Sequence, residues 1–422
     1  MSFRGRILDY LSSRLADDRP SLRLVFWDGD RFEFAPAPSI TITLGSPRLL
    51  KLLLTGNFVR LGDAYVAGEL KVDGRIEDII KNGILLAERL GGSTAPGRLA
   101  SLARFFPARR SRAGNATDVC YHYDVSNDFY RLWLDENMVY SCAYFRTGSE
   151  DIDLAQRQKL DHICRKLLLR PGDRLLDIGC GWGGLLHWAA ENYGITGLGI
   201  TLSEQQCVYA REWMTRDKLD TKVKIKLQDY RELTGEERFD KIVSVGMYEH
   251  VGPRNYPAYF GTIAKLLKQE GVLLNHGIVA TDPAGRSSGP VGGEFIDRYV
   301  FPGAALHHLS KTVFEIARAG LEIADIEDLR PHYARTLLNW VRRLEARPQE
   351  AIRTAGDQRY RIWRVYLAAM AYAFDCGWLS VAQVLAYKPI ANGVAPRPWT
   401  RDYQYVKGAA AKIAGRLKWD AT

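Results

Sequence analysis

The stretch LLDIGCGWGG, from Leu175 to Gly184, decides the fold of this chain of 422 residues. A short apolar segment runs into four glycines, and a helix is expected from about Leu185; the glycines are Gly179, Gly181, Gly183 and Gly184. Glycine lets the backbone turn sharply and lets a ligand approach closely beside the N-terminus of a helix. On its glycines alone, the loop also fits a dinucleotide-binding fingerprint.

Polar residues around this loop show whether a dinucleotide or a different ligand is the better match. Asp177 stands just before the first glycine, where its carboxylate can pair with a positively charged amino-acid moiety. A dinucleotide fold would carry an acid at the end of the next strand, but here GITLSEQQ offers Thr201, Ser203 and Gln206. Asp229 follows the third strand and is placed to accept a hydrogen bond from an adenine amino group. S-adenosylmethionine is therefore the better-matched ligand.

Outward from the loop, apolar strands alternate with helix-like segments. The predicted strands are Leu175–Ile178, Gly197–Ile200, Val223–Leu227, Lys241–Val245 and Val272–Val279. Strands that alternate with helices predict an α/β fold with a doubly wound, Rossmann-like parallel sheet. Helical additions are expected near the C-terminal end, over Arg335–Arg347 and about Gln358–Tyr387.

Three regions are predicted along the chain. Residues 1–95 mix short apolar runs with turn signals and form a smaller N-terminal domain. Residues 96–116 are a basic linker, and residues 117–422 form the catalytic domain. Within the linker, RLASLARFFPARRSR (Arg98–Arg112) is a basic amphipathic stretch. Such a stretch suits a membrane interface, and equally a solvated connector whose aromatic rings pack on a domain.

Composition narrows the partners and the compartment. Lys and Arg number 58 against 49 Asp and Glu, so the net charge is +9, which favours an anionic lipid surface or nucleic acid. No nucleic-acid module is recognisable, so no nucleic-acid partner is predicted. The six cysteines have no metal-ligand spacing, which indicates a reducing cytoplasm and predicts no metal site. No signal peptide or membrane-spanning run is expected, so a membrane would be reached from its surface.

Further motifs lie on both sides of the glycine loop. They are YHYDVSNDFY (Tyr121–Tyr130), MVYSCAYF (Met138–Phe145), VGMYEHVGPRNY (Val245–Tyr256), LNHGI (Leu274–Ile278), GGEFIDRYVFPG (Gly292–Gly303) and HYARTLLNW (His332–Trp340). Singly, each has a plain explanation: His276 suits a satisfied core histidine and Glu249 an acid at a helix start. Together, in this order, they resemble the cyclopropane-fatty-acyl-phospholipid synthase family, which includes mycolic acid cyclopropane synthases and fatty-acid methyltransferases. The resemblance runs from about Tyr121 to Tyr387.

The resemblance implies roles for particular residues. It implies an S-adenosylmethionine-dependent methyltransferase sheet with cofactor contacts at Gly179, Tyr140, Ser141, Thr201, Gln206, Asp229 and Tyr230. Together with Asp177, Gly181 and Gly183 from the loop itself, ten cofactor-binding residues are predicted. A bound bicarbonate ion would be held by Cys142, Glu249, His276, Ile278 and Tyr333. In that site Glu249, His276 and Tyr333 would use their side chains, whereas Cys142 and Ile278 would donate backbone N–H groups.

The resemblance also implies a reaction. The methyl group of S-adenosylmethionine would be transferred to the cis double bond of an unsaturated phospholipid acyl chain, leaving a carbocation. Bicarbonate would remove a proton and a cyclopropane ring would close; the alternative is a methyl-branched or methylene product from the same cation. GAALHHLS (Gly303–Ser310) and AFDCGWLSVAQVL depart from the family pattern and leave the fate of the cation open.

The location follows from the cysteines, the net charge and the basic stretch Arg98–Arg112, and the role of the N-terminal domain follows from the resemblance. A cytoplasmic enzyme, peripherally associated with the inner face of the cell membrane, is expected. Its N-terminal domain would hold the lipid or mediate a homodimer contact.

Overall fold

The computed structural model describes residues 3–15, 20–90, 126–283, 293–300, 306–390 and 397–405. The predicted basic linker, residues 96–116, lies outside these ranges, as do Tyr121–Val125 of the first upstream motif. Within the described ranges, every helix is too short or too polar to cross a bilayer.

The described chain contains helices and strands throughout. The α-helices are α1 (Phe3–Arg14), α2 (Pro47–Leu54), α3 (Phe58–Ala67), α4 (Ile76–Leu90), α5 (Asn127–Arg131), α6 (Ile152–Lys166), α7 (Gly184–Tyr193), α8 (Glu204–Arg216), α9 (Tyr256–Leu266), α10 (Gly293–Tyr299), α11 (Leu309–Arg318), α12 (Arg330–Glu345), α13 (Pro348–Ala355), α14 (Asp357–Asp375) and α15 (Asp402–Tyr405). The strands are β1 (Leu22–Val25), β2 (Arg31–Glu33), β3 (Ile40–Leu44), β4 (Leu70–Asp73), β5 (Arg174–Ile178), β6 (Thr196–Thr201), β7 (Val223–Leu227), β8 (Phe239–Val245), β9 (Leu267–Ala280), β10 (Glu322–Asp328) and β11 (Leu379–Tyr387).

The chain divides into two compact units. The first comprises Met1–Arg109, Ser288–Pro302 and Val341–Cys376, and the second comprises Arg110–Ser287, Gly303–Trp340 and Gly377–Thr422. Residues 341–376, which the sequence-based boundaries include in the catalytic domain, therefore group with the N-terminal residues. The boundaries at residues 95 and 116 themselves stay predictions.

The first unit is built on a small sheet with helices packed around it. Its strand order is β2-β1-β3-β4, with β1 parallel to β3 and the other pairs antiparallel. Helix α3 has Asn57 at its N-cap, where the side chain accepts from the Arg60 N–H, and it ends at Gly68, whose φ of 80° few other residues adopt. Helix α14 packs against α3 and α4.

One partly buried arginine joins several elements of the first unit. The Arg364 guanidinium on α14 donates to the Glu345 carboxylate at 2.6 Å, to the Tyr65 hydroxyl at 3.0 Å and to the Gly74 carbonyl at 3.1 Å. These partners belong to α12, α3 and the turn after β4. Because a guanidinium offers five donors in a fixed plane, one side chain can satisfy all three acceptors.

The second unit holds a seven-stranded sheet in the order β10-β11-β9-β8-β5-β6-β7. Strands β7, β6, β5, β8 and β9 are mutually parallel and correspond to the five predicted strands. Strand β11 is antiparallel to both β9 and β10. The predicted α/β fold is confirmed, with an antiparallel extension at one edge.

Helices cover both faces of this sheet. Leu175, Val243 and Leu274 face a cluster that includes residues of α6, α7 and α8. Their neighbours Leu176, Ile242 and Leu273 face a second cluster with residues of α9 and α11. Consecutive strand residues point to opposite faces, so strands buried on both sides need apolar residues at nearly every position. This requirement explains why central strands such as β5 and β9 could be recognised from their apolar runs, whereas the edge strand β7, VKIKL, has exposed lysines between its apolar residues.

The helical prediction for Gln358–Tyr387 is wrong at its C-terminal end. Helix α14 ends at Asp375, Gly377 adopts a φ of 73°, and residues 379–387 form β11. The segment LSVAQVLAY is almost entirely buried between β9 and β10, so it lacks the polar alternation of a half-buried strand. The neighbouring strand β10, with sequence EIADIED, was not predicted because four of its residues are acidic.

We expect Arg364→Met to destabilise the first unit by about 2 kcal/mol, because the half-buried Glu345 carboxylate would lose its partner and two further acceptors would lose a donor. Hydrogen-exchange mass spectrometry should show a lower opening free energy for α3 and β4. The matched control is Arg353→Met, at an exposed position on α13. Equal protection of α3 in both variants would contradict the proposed role of Arg364.

Candidate functional site

The glycine loop joins β5 to α7 and is closely packed on both sides. Gly179 has a φ of 85°, and a Cβ there would lie 2.7 Å from the Met247 Cβ. At Gly184 a Cβ would lie 2.4 Å from the Asn137 carbonyl oxygen. A side chain at either position would push the loop away from the segments that follow β8 and precede Tyr140. The sequence requirement for glycine is therefore steric as well as conformational.

A cavity of about 1100 Å³, which includes its opening to solvent, lies at the carboxyl ends of β5, β6 and β8. Nine of the ten predicted cofactor residues line it, namely Tyr140, Ser141, Asp177, Gly179, Gly181, Thr201, Gln206, Asp229 and Tyr230. Further lining residues that the sequence reasoning missed include Lys159, Trp182, Met247 and His250. The carboxyl ends of parallel strands are where doubly wound sheets bind ligands.

Gly183, the tenth predicted cofactor residue, is outside this lining. It is the N-cap residue of α7 with a φ of 88°, and a Cβ there would meet Met214 and Ala210 of α8 at 3.1 and 3.2 Å. Its need for glycine comes from the packing of the loop against α8.

Asp177 gives the clearest indication of what the cavity can bind. Its side chain is buried, and its Oδ1 atom has no hydrogen-bond partner among the residues that the structure describes. Burial raises the pKa of this carboxyl to about 7, against the opposing effect of Lys159. A buried carboxylate oxygen without a partner is costly, and a cationic N–H donor in the cavity would satisfy it.

The segment Val139–Ser141 is held from helix α6. Gln156 is fully buried, and its side-chain amide donates to the carbonyls of Val139 and Ser141 at 3.3 and 2.9 Å. Lys159, one turn further along α6, donates to the Ser141 hydroxyl at 2.9 Å. These contacts fix one wall of the cavity.

The opposite wall is built from the ends of β6 and β7. The Thr201 hydroxyl donates to the Gln206 side-chain oxygen at 2.8 Å, which joins the end of β6 to the first turn of α8. Asp229 lines the cavity as predicted, but Arg231 already binds its carboxylate through Nε at 2.9 Å and Nη2 at 2.7 Å. An adenine amino group would therefore share this carboxylate with Arg231.

A second group of predicted residues adjoins the cavity. Glu249 lies in a 3₁₀ turn (Tyr248–His250). Two residues close to it in sequence, Met247 and His250, line the cavity. The Glu249 Oε1 accepts the Ile278 N–H at 2.8 Å, and its Oε2 is buried without a partner. Burial raises the pKa of Glu249 to about 7. The Ile278 N–H, which was predicted to donate to bicarbonate, is thus bound by Glu249 in this structure.

His276 and Ile278 are two residues apart on β9 and so share a face of the sheet. The Gln383 amide nitrogen on β11 lies 3.2 Å from His276 Nδ1, in a register that pairs these two residues. Burial lowers the pKa of His276 to about 3, so the ring is neutral at physiological pH. Gln383 was not singled out from the sequence.

Cys142 and Tyr333 come together at one backbone carbonyl. The Cys142 thiol lies 3.8 Å from the Leu329 oxygen, which also accepts the Tyr333 N–H at 3.0 Å. Of the five predicted bicarbonate residues, Glu249 therefore contacts Ile278, Cys142 and Tyr333 share the Leu329 carbonyl as a neighbour, and His276 lies on the same strand as Ile278. None of the five is among the residues that line the cofactor cavity.

Aromatic rings connect the cavity to Tyr333. Trp340 lies 5.2 Å from Tyr140 and 6.3 Å from Tyr333, measured between ring centroids. Tyr130 contacts Trp182 at 4.9 Å and Tyr140 at 5.8 Å. This aromatic cluster, made of Tyr130, Trp133, Tyr140, Trp182, Trp340 and Tyr333, places electron-rich rings between the cavity and the second group of residues.

The cavity fits S-adenosylmethionine. The unpartnered Asp177 oxygen calls for a cationic donor, and the glycine loop leaves space where side chains would intrude. The first helical turn of α7 adds N–H groups without partners inside the helix.

This chain is similar in sequence to known proteins. A family model described as mycolic acid cyclopropane synthetase matches residues 110–384, and a domain of unknown function (DUF7884) matches residues 14–90. A probable fatty acid methyltransferase of Pseudomonas putida is 45% identical over 388 residues, which cover 91% of this chain and 96% of the relative. A cyclopropane-fatty-acyl-phospholipid synthase of Escherichia coli (strain K12) is 38% identical over 273 residues, which cover 65% of this chain and 68% of the relative.

A solved structure agrees with these relatives. The mycolic acid cyclopropane synthase CmaA1, complexed with SAH and CTAB, matches with a TM-score of 0.61 and 32% identity, over 65% of this chain and 98% of that chain. The fold, the cavity and these matches confirm the resemblance seen in the sequence. The chain belongs to the mycolic acid cyclopropane synthetase family and is an S-adenosylmethionine-dependent enzyme.

Proposed function

We propose that this enzyme methylates the cis double bond of an unsaturated phospholipid acyl chain and closes a cyclopropane ring, with bound bicarbonate as the base. The observation that carries the proposal is Glu249. It is a buried carboxyl group beside the cofactor cavity, with one oxygen that lacks a partner among the described residues and a pKa raised to about 7. Such a group is suited to binding a small polar species next to the cofactor.

The cofactor would be held by the residues that line the cavity. Asp177 would pair with the ammonium group, Asp229 and Tyr230 would contact the adenine, and Tyr140, Thr201 and Gln206 would complete the wall. Bound S-adenosylmethionine supplies a methyl group made electrophilic by the adjacent sulfonium. The protein's own contribution is to orient this group toward the acyl chain and to exclude water.

The aromatic cluster would stabilise the cation that forms in the acyl chain. An alkene that gains a methyl group leaves a positive charge on the neighbouring carbon. Tyr140, Trp340 and Tyr333 offer ring faces that attract a cation without bonding to it. Because these rings also keep the site apolar, they would limit capture of the cation by water, which would give an alcohol.

Glu249, His276 and Tyr333 would hold the base. At neutral pH the pKa shifts leave His276 uncharged and Glu249 about half protonated, and when Glu249 carries its proton all three side chains can offer hydrogen bonds to an anion. Bicarbonate bound there supplies a base that removes a proton from the new methyl group. The Ile278 N–H would join this site only after Glu249 releases it, whereas Cys142 would contribute its own backbone N–H.

A second candidate is a fatty-acyl methyltransferase that gives a methyl-branched or methylene product. The relative that is 45% identical over 91% of this chain, named a probable fatty acid methyltransferase, favours it. Both candidates share the methyl transfer and the carbocation. They differ in whether the proton leaves the new methyl group or a neighbouring carbon after a hydride shift.

Peripheral association with an anionic membrane surface and a homodimer also stay proposals. The net charge of +9 supports the first. The basic stretch Arg98–Arg112, on which that prediction also rests, lies outside the described residues.

We expect Glu249→Gln and His276→Ala each to lower turnover by about 100-fold or more, because the base would be poorly held. The dissociation constant for S-adenosylhomocysteine should change by less than about threefold, since neither residue lines the cofactor cavity. Turnover on unsaturated phospholipid vesicles and calorimetric binding would be measured on the same preparations. Glu212→Gln, exposed on α8, is the matched control. Wild-type turnover in either folded variant would refute the base site.

The Asp177 carboxyl predicts a pH-dependent cofactor affinity. Its pKa of about 7 means that it becomes protonated below neutrality and loses its attraction for the ammonium group. Affinity for S-adenosylhomocysteine should therefore fall by about tenfold per pH unit from pH 7 to about pH 5.5. Calorimetry should show that Asp177→Asn binds S-adenosylhomocysteine more weakly and that its affinity does not change over the same pH range. A flat wild-type profile would show that Asp177 does not pair with the ammonium group.

The reaction itself is tested by expressing the chain in a host without such enzymes and analysing its lipids by mass spectrometry. Unsaturated acyl chains should gain the mass of one CH₂. Hydrogenation resistance and NMR of the product would then separate a ring from a branch or a methylene group. Unchanged lipids in cells that contain the folded protein, with cofactor binding intact, would reject the phospholipid substrate.

A further inference from the structure

A buried lysine lines the cofactor cavity without an evident reason to be charged there. Lys159 lies in the middle of α6, within LAQRQKLDHICRK, and its side chain is only 1% exposed. Lys159 belongs neither to the glycine loop nor to any of the family motifs. Transferring an ammonium group from water to such an interior is unfavourable unless a charged partner compensates.

The protein gives Lys159 little compensation. Its ammonium group donates to one neutral acceptor, the Ser141 hydroxyl at 2.9 Å. In the described part of the chain no carboxylate forms an ion pair with it, and Asp135 and Asp177 act on it only through longer-range attraction. Asp135 already accepts the N–H groups of Asn137 and Val139. Burial lowers the pKa of Lys159 to about 8, which still leaves it mainly protonated at neutral pH.

The neighbouring Gln156 already holds the backbone of this cavity wall in place. Its amide donates to the backbone carbonyls of Val139 and Ser141, and so fixes the segment that carries Tyr140 and Ser141. An apolar side chain at position 159 would fill the same space at a lower desolvation cost. The charge of Lys159 is therefore better explained by a ligand than by the fold.

We propose that Lys159 binds the carboxylate of the amino-acid portion of S-adenosylmethionine, with Ser141 oriented beside it as a second donor. The cavity then matches a zwitterion, because Lys159 provides the positive charge and Asp177, with its unpartnered oxygen, provides the negative one. This inference rests on the cofactor assignment and on no part of the proposed lipid chemistry. A charge-assisted hydrogen bond in a dry site is among the stronger polar contacts a cofactor can make.

The test compares two ligands that differ in one group. S-adenosylmethionine carries the carboxylate. Decarboxylated S-adenosylmethionine has hydrogen in place of that carboxylate and keeps the amino group on a propylamine chain. By calorimetry the wild-type protein should bind the first about 30-fold more tightly. Lys159→Met should bind the two within about threefold of each other, because the group that distinguishes them is gone. Lys159→Arg should restore part of the preference.

A merely structural role would weaken both ligands alike and leave their ratio unchanged. Arg157→Met, which removes a partly exposed charge from the same helix outside the cavity, is the matched control and should keep the wild-type ratio. A Lys159→Met protein that retains the wild-type preference would overturn the proposal. So would a wild-type protein that binds both ligands equally, a result that needs no variant to fold. Lipid products measured separately would report on the proposed function independently of either result.

Discussion

The candidate site depends on one constraint: ionisable groups are buried in an apolar interior near the carboxyl ends of the parallel strands. Asp177, Glu249 and Lys159 are each almost fully enclosed, and each lacks a full set of partners within the protein. Burial alone would favour their neutral forms, which is why the pKa values of the two acids rise and that of the lysine falls. The layered core on both faces of the sheet supplies the stability that tolerates this desolvation. Ligands that complete the partners of these groups are then bound strongly.

The topology determines how these groups meet. Strands β5 and β8 are hydrogen-bonded neighbours, so Asp177 near the end of one and Glu249 just after the other are brought to the same edge of the sheet. Strand β9 lies beside β8 and adds His276 and Ile278, while the antiparallel β11 brings Gln383 against His276. The antiparallel extension thus brings one polar side chain, that of Gln383, against the candidate base residue His276.

The sequence predicted the parts of this arrangement that follow from local pattern. Five parallel strands and the glycine loop were recognisable because doubly buried strands are apolar runs and because the loop needs glycine. Strand β11 was taken for helix, since its buried sequence has no alternation and directly continues the apolar pattern of α14. Lys159 and Gln156 were missed because polar residues three apart on a helix normally mark its solvated face. Only the fold shows that this face is turned inward.

Side-chain contacts account for the other differences between the predicted and the observed site. The sequence showed Asp229 and Ile278 as available to ligands, but could not show that Arg231 holds the first and Glu249 the second. Side-chain direction decides these pairings, and motifs do not encode it. Gly183 likewise reads as a ligand-binding glycine in the motif, yet its tight contacts are with α8.

The raised pKa of Glu249 bears directly on the proposed chemistry. An ionised carboxylate beside a carbocation or a sulfonium methyl group would be a nucleophile, and it would end the reaction as an ester. With a pKa raised to about 7, Glu249 is about half protonated at neutral pH, and in its protonated form the side chain can orient a base by hydrogen bonding while remaining a poor nucleophile itself. His276, held neutral by the same burial, is likewise a weak base. In the proposed reaction the protein thus keeps its own side chains unreactive toward the cation, and proton removal is left to the small ion that they bind.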